Sequence, residues 1–439
     1  MDLRPGYKQT EIGPIPEDWD AVPLGDLFTF KNGLNKAKKY FGYGTPIVNY
    51  MDVFRHPGLR LDRVEGRVDV SKSELEAFEV RKGDVFFTRT SETVEEIGVA
   101  AAMLDPTKET VFSGFVLRAR PTGEQLDDLF KAYCFSPRYF RRQVVARATY
   151  TTRALTNGRS LSATILAVPP VVEQRAIAEA LLATDISIAN LARLIGKKRD
   201  LRTGAMQRLL AGKTRLPGFA EPWKTKRLAE LGKCLRGVTY DGDADLFQSD
   251  NVSSIRLLRA NNVQAASIRL EGLQFVNCIR VSEKQKLRPF DIVICTANGS
   301  RALVGKSAIF DVSDGYDYTF GAFMGCFRTD QGTANPVFLH GLLNSDRFAE
   351  LINVALSGST INNLSPRTIE EMEFLVPEID EQNAVARILS DMDAEITALE
   401  ARLEKTRALK QGMMQALLTG RVRLPVQAEA LDTLEVAHA

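Results

Sequence analysis

Few residues in this chain are spaced for covalent chemistry. The nearest approach is Gly299-Ser-Arg-Ala-Leu-Val-Gly305-Lys306-Ser307, which ends like a phosphate-cradling loop. Such a loop needs four residues between its glycines and a helix after Gly-Lys-Ser, so that the helix N-terminus faces the phosphates. Here five intervene and the following Ala-Ile-Phe reads as a strand, so the stretch is expected to be a turn between two strands. The histidines (His56, His340, His438) are isolated. The cysteines (Cys134, Cys234, Cys278, Cys295, Cys326) stand singly, with no Cys-x-x-Cys pair and no nearby base. That usage argues against a zinc site, a disulfide framework or a thiolate nucleophile, and for a reducing cytoplasm. No Asp/Asn-Pro-Pro-Tyr motif of an adenine methyltransferase occurs, and no Gly-x-Gly-x-x-Gly follows a strand. The chain is expected to perform no chemistry of its own and to hold no metal.

Binding chemistry is better represented. Residues 136–160 carry Arg138, Arg141, Arg142, Arg147, Arg153 and Arg159, interleaved with Thr152 and other Thr, Tyr and Asn, and no acid. Lys36, Lys38 and Lys39 form a second cluster. Residues 251–270 hold Arg256, Arg259, Asn261 and Asn262, again without an acid. Arg89 and Thr90 follow one apolar strand, and Asn298 and Arg301 follow its counterpart; Ser359, Thr360, Asn362 and Asn363 lie in a later Ser/Thr/Asn-rich run. Arginine and lysine meet phosphates, arginine reaches guanine bidentately and asparagine reaches adenine. A single charge run is ordinarily a solvated face. These twenty or so positions become candidates for DNA contact because the clusters recur at corresponding places in two halves of the chain. The formal net charge is only +2, so a DNA surface would have to be a local patch.

The halves are an internal duplication. Val168-Pro-Pro-Val-Val-Glu-Gln opens a run that closes on Leu-Leu-Ala-Gly and Arg-Leu-Pro at Pro217, and Val376-Pro-Glu-Ile-Asp-Glu-Gln opens one that closes alike at Pro425. The shift of 208 residues holds over the whole run, and a repeat must be read before anything else. Val385, Leu389, Met392, Ile396, Leu399 and Leu403 step by four and three, as do Ile177, Leu181, Thr184, Ile188, Leu191 and Ile195. That is a heptad seam, interrupted by Thr406 and Lys410 in one copy and by Lys198 and Arg202 in the other. Prolines suit the helix starts, and Gly212 and Gly420 suit the ends. Each helix would be on the order of 60 Å long and needs a partner for its apolar stripe, for which its own copy is the nearest candidate.

Before and between the helices lie two mixed α/β segments matched through Glu17-Asp18-Trp19 and Glu221-Pro222-Trp223, and through Gly98 and Gly305. Gly83–Thr88 and Phe290–Cys295 read as matched strands, with residues 97–104 and 305–310 as the strands that follow. LDDLFKAYCFS and PVFLHGLLNSDRFAELIN read as helices. No apolar run is long enough to span a bilayer, and the first residues contain no apolar signal core.

Taken together, Ile15–Leu27, the two Val-Pro…Glu-Gln helices ending Leu-Leu-x-Gly, and Gly358–Pro377 resemble the specificity (S) subunit of type I restriction-modification enzymes. The resemblance covers nearly the whole chain. It implies an α+β fold in which two target-recognition domains, 1–168 and 218–376, are separated by two long spacer helices, 169–217 and 377–425, with a tail at 426–439. The helices would form an antiparallel coiled coil with pseudo-twofold duplication. Each domain would read one half of a split, asymmetric target in double-stranded DNA, and the gap would go unread. Modification (methyltransferase) subunits carrying S-adenosylmethionine would dock on the helices, and restriction subunits would join them. This chain would bind no cofactor. The first half lacks the clean Asn-Leu-Ser of the second. Two other readings stay open from the residues alone: a self-contained DNA methyltransferase or nuclease, and a coiled-coil adaptor that binds proteins only.

Overall fold

The computed structural model describes residues 3–150, 152–357 and 362–425. The chain forms two compact units. One comprises the residues up to Ala192 with those from Ala401 onward; the other is Arg193–Glu400. The division falls inside two long helices, Val171–Leu210 and Ile379–Leu417. Each unit therefore takes one half of each long helix, which is a different partition from the sequence segments read above.

In the first unit a five-stranded sheet runs in the order Phe28–Asn32, Val116–Pro121, Val85–Thr88, Ala100–Met103, Gly58–Leu59. The first four strands pair antiparallel and the last pair is parallel. The second unit repeats the first four as Gly232–Arg236, Met324–Thr329, Ile292–Cys295 and Ser307–Ile309. In both, the central strand is buried along its whole length, which explains its unbroken apolar sequence. An aspartate before that strand takes an arginine from its neighbour: Asp84 meets Arg120 at 2.7 Å, and Asp291 meets Arg328 at 2.6 Å. The Gly299–Ser307 stretch is a turn and a 3-10 turn (Arg301–Leu303) leading into a strand, as expected.

The expected helices hold at the long runs. They contain 40 and 39 residues, and Gly212 (φ +65°) and Gly420 (φ +68°) stand in the left-handed region just past their ends. Within the first unit Asp185 meets Lys410 at 2.6 Å, and Glu173 bonds Arg423. Within the second, Lys198 meets Glu395 and Arg202 meets Asp393. Partner numbers fall as residue numbers rise, so the helices run antiparallel. Lys410, Lys198 and Arg202, which interrupt the heptads, thus pair across the seam. Ile177, Leu181 and Leu417 share one buried cluster, and Leu209, Val385 and Leu389 another. Burial of each such side chain contributes roughly 1.5–3 kcal/mol.

One expected helix is absent. LDDLFKAYCFS forms only a 3-10 turn, Phe130–Ala132. The Asp127 carboxylate accepts the N–H groups of Leu129 and Phe130, and Gln174 takes the Asp127 N–H; Asn335 and Gln382 make the same bonds in the second unit, where a helix does follow, so this capping does not account for the difference. Its counterpart forms two helices, Pro336–Leu342 and Asp346–Ala355, split where Ser345 caps the second.

The repeated Glu-Gln pairs anchor each long helix. The indole N–H of Trp19 donates to Glu173 at 2.9 Å, and Arg423 bridges Glu173 and Asp18. Trp223 donates to Glu381 at 3.0 Å, and Arg215 makes two bonds to the same carboxylate at 2.7 Å. The Gln174 and Gln382 side-chain oxygens accept the distant Asp127 and Asn335 N–H groups, and their amides donate to the Pro169 and Pro377 carbonyls just before each helix. Arg423→Ala would leave Glu173, 2% exposed, with its charge answered only by an indole. We expect a loss of roughly 3 kcal/mol in urea unfolding, the low end for breaking a buried pair because Arg423 is itself half exposed. A loss near zero would remove the anchor role.

Candidate nucleic-acid interface

In the first unit the chain leaves the central strand Val85–Thr88 through Arg89 into a short strand, Thr90–Ser91. This pairs with Ala154–Leu155, which pairs in turn with Thr149–Tyr150. The backbone N–H of Thr156 donates to Arg89 O, closing the arrangement. Arg89, Thr90, Thr152 and Arg153, distant in sequence, therefore meet at one sheet edge, where Thr152 and Arg153 are exposed and Tyr150 is 58% exposed.

The second unit repeats this geometry. Ala297 bridges Asn363, the counterparts of Thr90 and Leu155, and Asn298 N–H donates to Asn362 O. The Asn362 amide donates to Gly299 O, and Asn298 Oδ1 accepts from Ser300 N. Arg301, exposed, reaches Asn353 O at 2.7 Å. Asn298, Arg301, Asn362 and Asn363 are thereby brought together. Ser359 and Thr360 lie outside the described residues.

A helix braces each edge, Arg138–Ala146 in one unit and Asp346–Ala355 in the other. Its seat explains the matched glycines. A Cβ at Gly98 would stand 2.7 Å from Val144 Cγ1, and one at Gly305 2.1 Å from Ile352 Cδ1; both residues also have positive φ. Only glycine admits that approach.

Several expected contact residues are already engaged elsewhere. Arg141 donates to the carbonyls of Glu95, Ile97 and Gly98, and burial pulls its basicity below the usual arginine range. Arg256 sits 3.4 Å over the Tyr316 ring, between Asp250 and Asp314. Lys36 bonds Asp69 O and Glu74, each at 2.7 Å. Asn262 is fully buried and ties Arg269 O to Glu271 O, while its Oδ1 accepts from Arg259 N. These four side chains shape the surface, each held by bonds, ion pairs or a stack within its own unit. Arg259 is half-buried, with its Nε unpartnered among the described residues. Lys38, Lys39, Arg142, Arg147 and Asn261 are exposed, and Lys39 lies 5.0 Å from the Tyr40 ring centre.

Two residues at the edge escaped the sequence reading. Phe115 is 62% exposed and Phe323 71% exposed, at matched positions before the second central strand. The Phe115 carbonyl accepts from Arg89 N, and the Phe323 carbonyl accepts from Thr296 N and Ala297 N, so the backbone at each phenylalanine is tied to its edge loop. The signal available was a phenylalanine kept at a shift of 208 where the flanking residues differ.

Comparison with known proteins agrees with this architecture. Residues 220–407 match the family described as Type I restriction modification DNA specificity domain. The chain is 31% identical over 204 residues to the Type I restriction enzyme StySPI specificity subunit of Salmonella potsdam, a match spanning 46% of this chain and 43% of that protein. It is 20% identical to the Type I restriction enzyme MjaVIII specificity subunit of Methanocaldococcus jannaschii, across 95% of this chain and 96% of that one. Its fold is that of the Type-I restriction-modification system S subunit from M. genitalium, with a TM-score of 0.52, 16% identity, and coverage of 95% and 98% of the two chains. The resemblance to type I specificity subunits is thus borne out, as is the mixed α/β fold with paired long helices. The aligned segment spans under half the length of the first of these relatives.

The two arginines side by side on the bracing helix should behave oppositely. Arg141→Ala removes the donor from three carbonyls and should cost about 2–3 kcal/mol of stability. Arg142→Ala should stay within about 0.5 kcal/mol in the same thermal melts. Equal melting of the two variants would contradict the placement of Arg141.

Proposed function

We propose that this chain is the DNA-recognition subunit of a type I restriction-modification complex, with one reading edge per half of a split, asymmetric DNA target. The observation that carries this reading is the repeated edge. Two units keep the same strand bridge, the same bracing helix and the same exposed phenylalanine, yet present Arg89, Thr90 and Arg153 in one and Asn298, Arg301 and Asn363 in the other. A kept frame with changed side chains is what reading two different short sequences requires. The exposed rings can pack on thymine methyl groups or wedge at a base step.

On this reading the chain itself performs no catalysis and binds no cofactor. Methyltransferase subunits holding S-adenosylmethionine dock on it, restriction subunits join through them, and the complex works in the cytoplasm. Among the described residues no helix is long and apolar enough to cross a membrane.

Exchange of residues 1–168 for the matching segment of another such protein, followed by methylome sequencing of the host, tests the modular reader. One half of the methylated motif should change and the other persist; retention of both halves would sink the proposal. Methyl transfer to DNA by the purified chain alone, given labelled S-adenosylmethionine, would favour a self-contained methyltransferase instead. Phe115→Ala and Phe323→Ala should each cost roughly 1–3 kcal/mol of binding and relax preference in one half-site only. Competition titrations with half-site variants of the duplex would read this out, and unchanged preference in both would remove the rings from the interface.

A further inference from the structure

The two edges match in geometry and differ sharply in charge. From Leu129 to Val172 the first half has seven Lys and Arg and no Asp or Glu; the matched window, Val337–Asp380, has two and seven. The structure removes two of the seven from play: Lys131 is buried against Asp128 at 2.7 Å, and Arg141 is spent on carbonyls. The remaining five, Arg138, Arg142, Arg147, Arg153 and Arg159, are all exposed and have no carboxylate within ion-pair distance among the described residues. In the second unit both bases of the window are answered, Arg347 by Glu350 at 3.3 Å and Arg367 by Glu371 at 2.8 Å. Position for position, Asp346 replaces Arg138 and Glu350 replaces Arg142.

Four of the five arginines lie on consecutive elements of the chain. Arg138 and Arg142 are a helical turn apart on the bracing helix, Arg147 caps that helix, and Arg153 lies in the turn between the two edge strands. Arg142 also lines a hollow of about 690 Å³ together with Arg4, Arg138 and Arg421, so the basic strip extends past the helix start. Unpaired, exposed guanidinium groups in a row beside a reading edge suit a phosphate backbone, which repeats its charges along a line and needs no base identity.

We propose that the first unit is the electrostatic anchor on DNA: it binds the duplex backbone through this strip, whereas the second unit engages its half-site with little phosphate contact. The inference rests on the DNA-reading function above and assigns its salt-dependent, sequence-independent part to one unit. Loading on DNA would begin there, because non-specific contact precedes reading and is dominated by phosphate neutralisation.

The test is the affinity of the purified full chain for a random-sequence duplex across a salt titration. Each neutralised phosphate adds about 0.9 to the slope of log affinity against log salt, so replacing Arg142, Arg147 and Arg153 together by Gln should lower that slope by roughly 2.7. Lys at the same three positions should restore it. Gln at Lys306, Arg347 and Arg367 of the second unit should leave it almost unchanged. The altered residues are exposed, and unchanged melting of the variants would confirm that the fold is intact. Equal slope losses from the two sets, with binding retained, would overturn the anchor and leave the reader standing. A first-unit variant that keeps its slope but fails to assemble with methyltransferase subunits would make the strip a protein-docking face and overturn the proposal. Failure of the unaltered chain to bind any duplex would overturn the reading function itself.

Discussion

Neither half of this chain can close its own core, and that constraint organises the rest. Each long helix has one apolar stripe, and a 40-residue helix with an uncovered stripe is not a stable element in water. The stripe is covered by the other copy, running the opposite way. In each unit the start of one long helix is locked beside the residues just past the end of the other: Glu173 with Arg423, Glu381 with Arg215. A sheet encoded in one half of the sequence is thus completed by a helical segment encoded in the other half.

This exchange explains which residues the duplication kept. Trp19 and Trp223, both Glu-Gln pairs, the Asp84–Arg120 and Asp291–Arg328 pairs, and Gly98 and Gly305 all hold elements to one another. A change at the tryptophans or the paired charges leaves a buried polar group without its partner, and a side chain at either glycine would collide with the bracing helix, which costs more than losing an exposed contact. The edge residues carry no such duty. Thr152, Arg153 and Asn363 are exposed, and their replacement disturbs no buried bond, so the reading surface was free to diverge while its frame was not.

The same division governs how much could be read from sequence. The long helices were legible because a heptad period persists over many turns and glycine and proline mark both ends. The central strands were legible because burial on both faces demands an unbroken apolar run. The turn at Phe130–Ala132 was not, since its amphipathic composition and its capped start at Asp127 both suit a helix, and the matched segment capped by Asn335 does form one. Among the candidate contact residues, composition located the clusters and could not sort them. Arg141 and Arg142 are adjacent and identical in type, yet a rotation of one residue on the helix turns the first toward buried carbonyls and the second to solvent. Phe115 and Phe323 look like strand residues, and only their tertiary position exposes them.

The seam itself carries a further consequence. Lys198, Arg202 and Lys410 occupy heptad positions where leucine would bury more apolar area, and each meets an acid on the opposing helix. Paired charges at seam positions contribute little net stability against hydrophobic replacements, but they penalise every register in which the acid is displaced. A repeat with a purely apolar seam could slide by a heptad and keep most of its burial. With Asp185 fixed to Lys410 and Asp393 fixed to Arg202, a slip strands a charge in each unit. Register matters here because the Glu173 and Glu381 anchors must meet their arginines at the helix ends in the same alignment. The polar interruptions that weaken the heptad pattern in sequence therefore favour this alignment over its slipped alternatives.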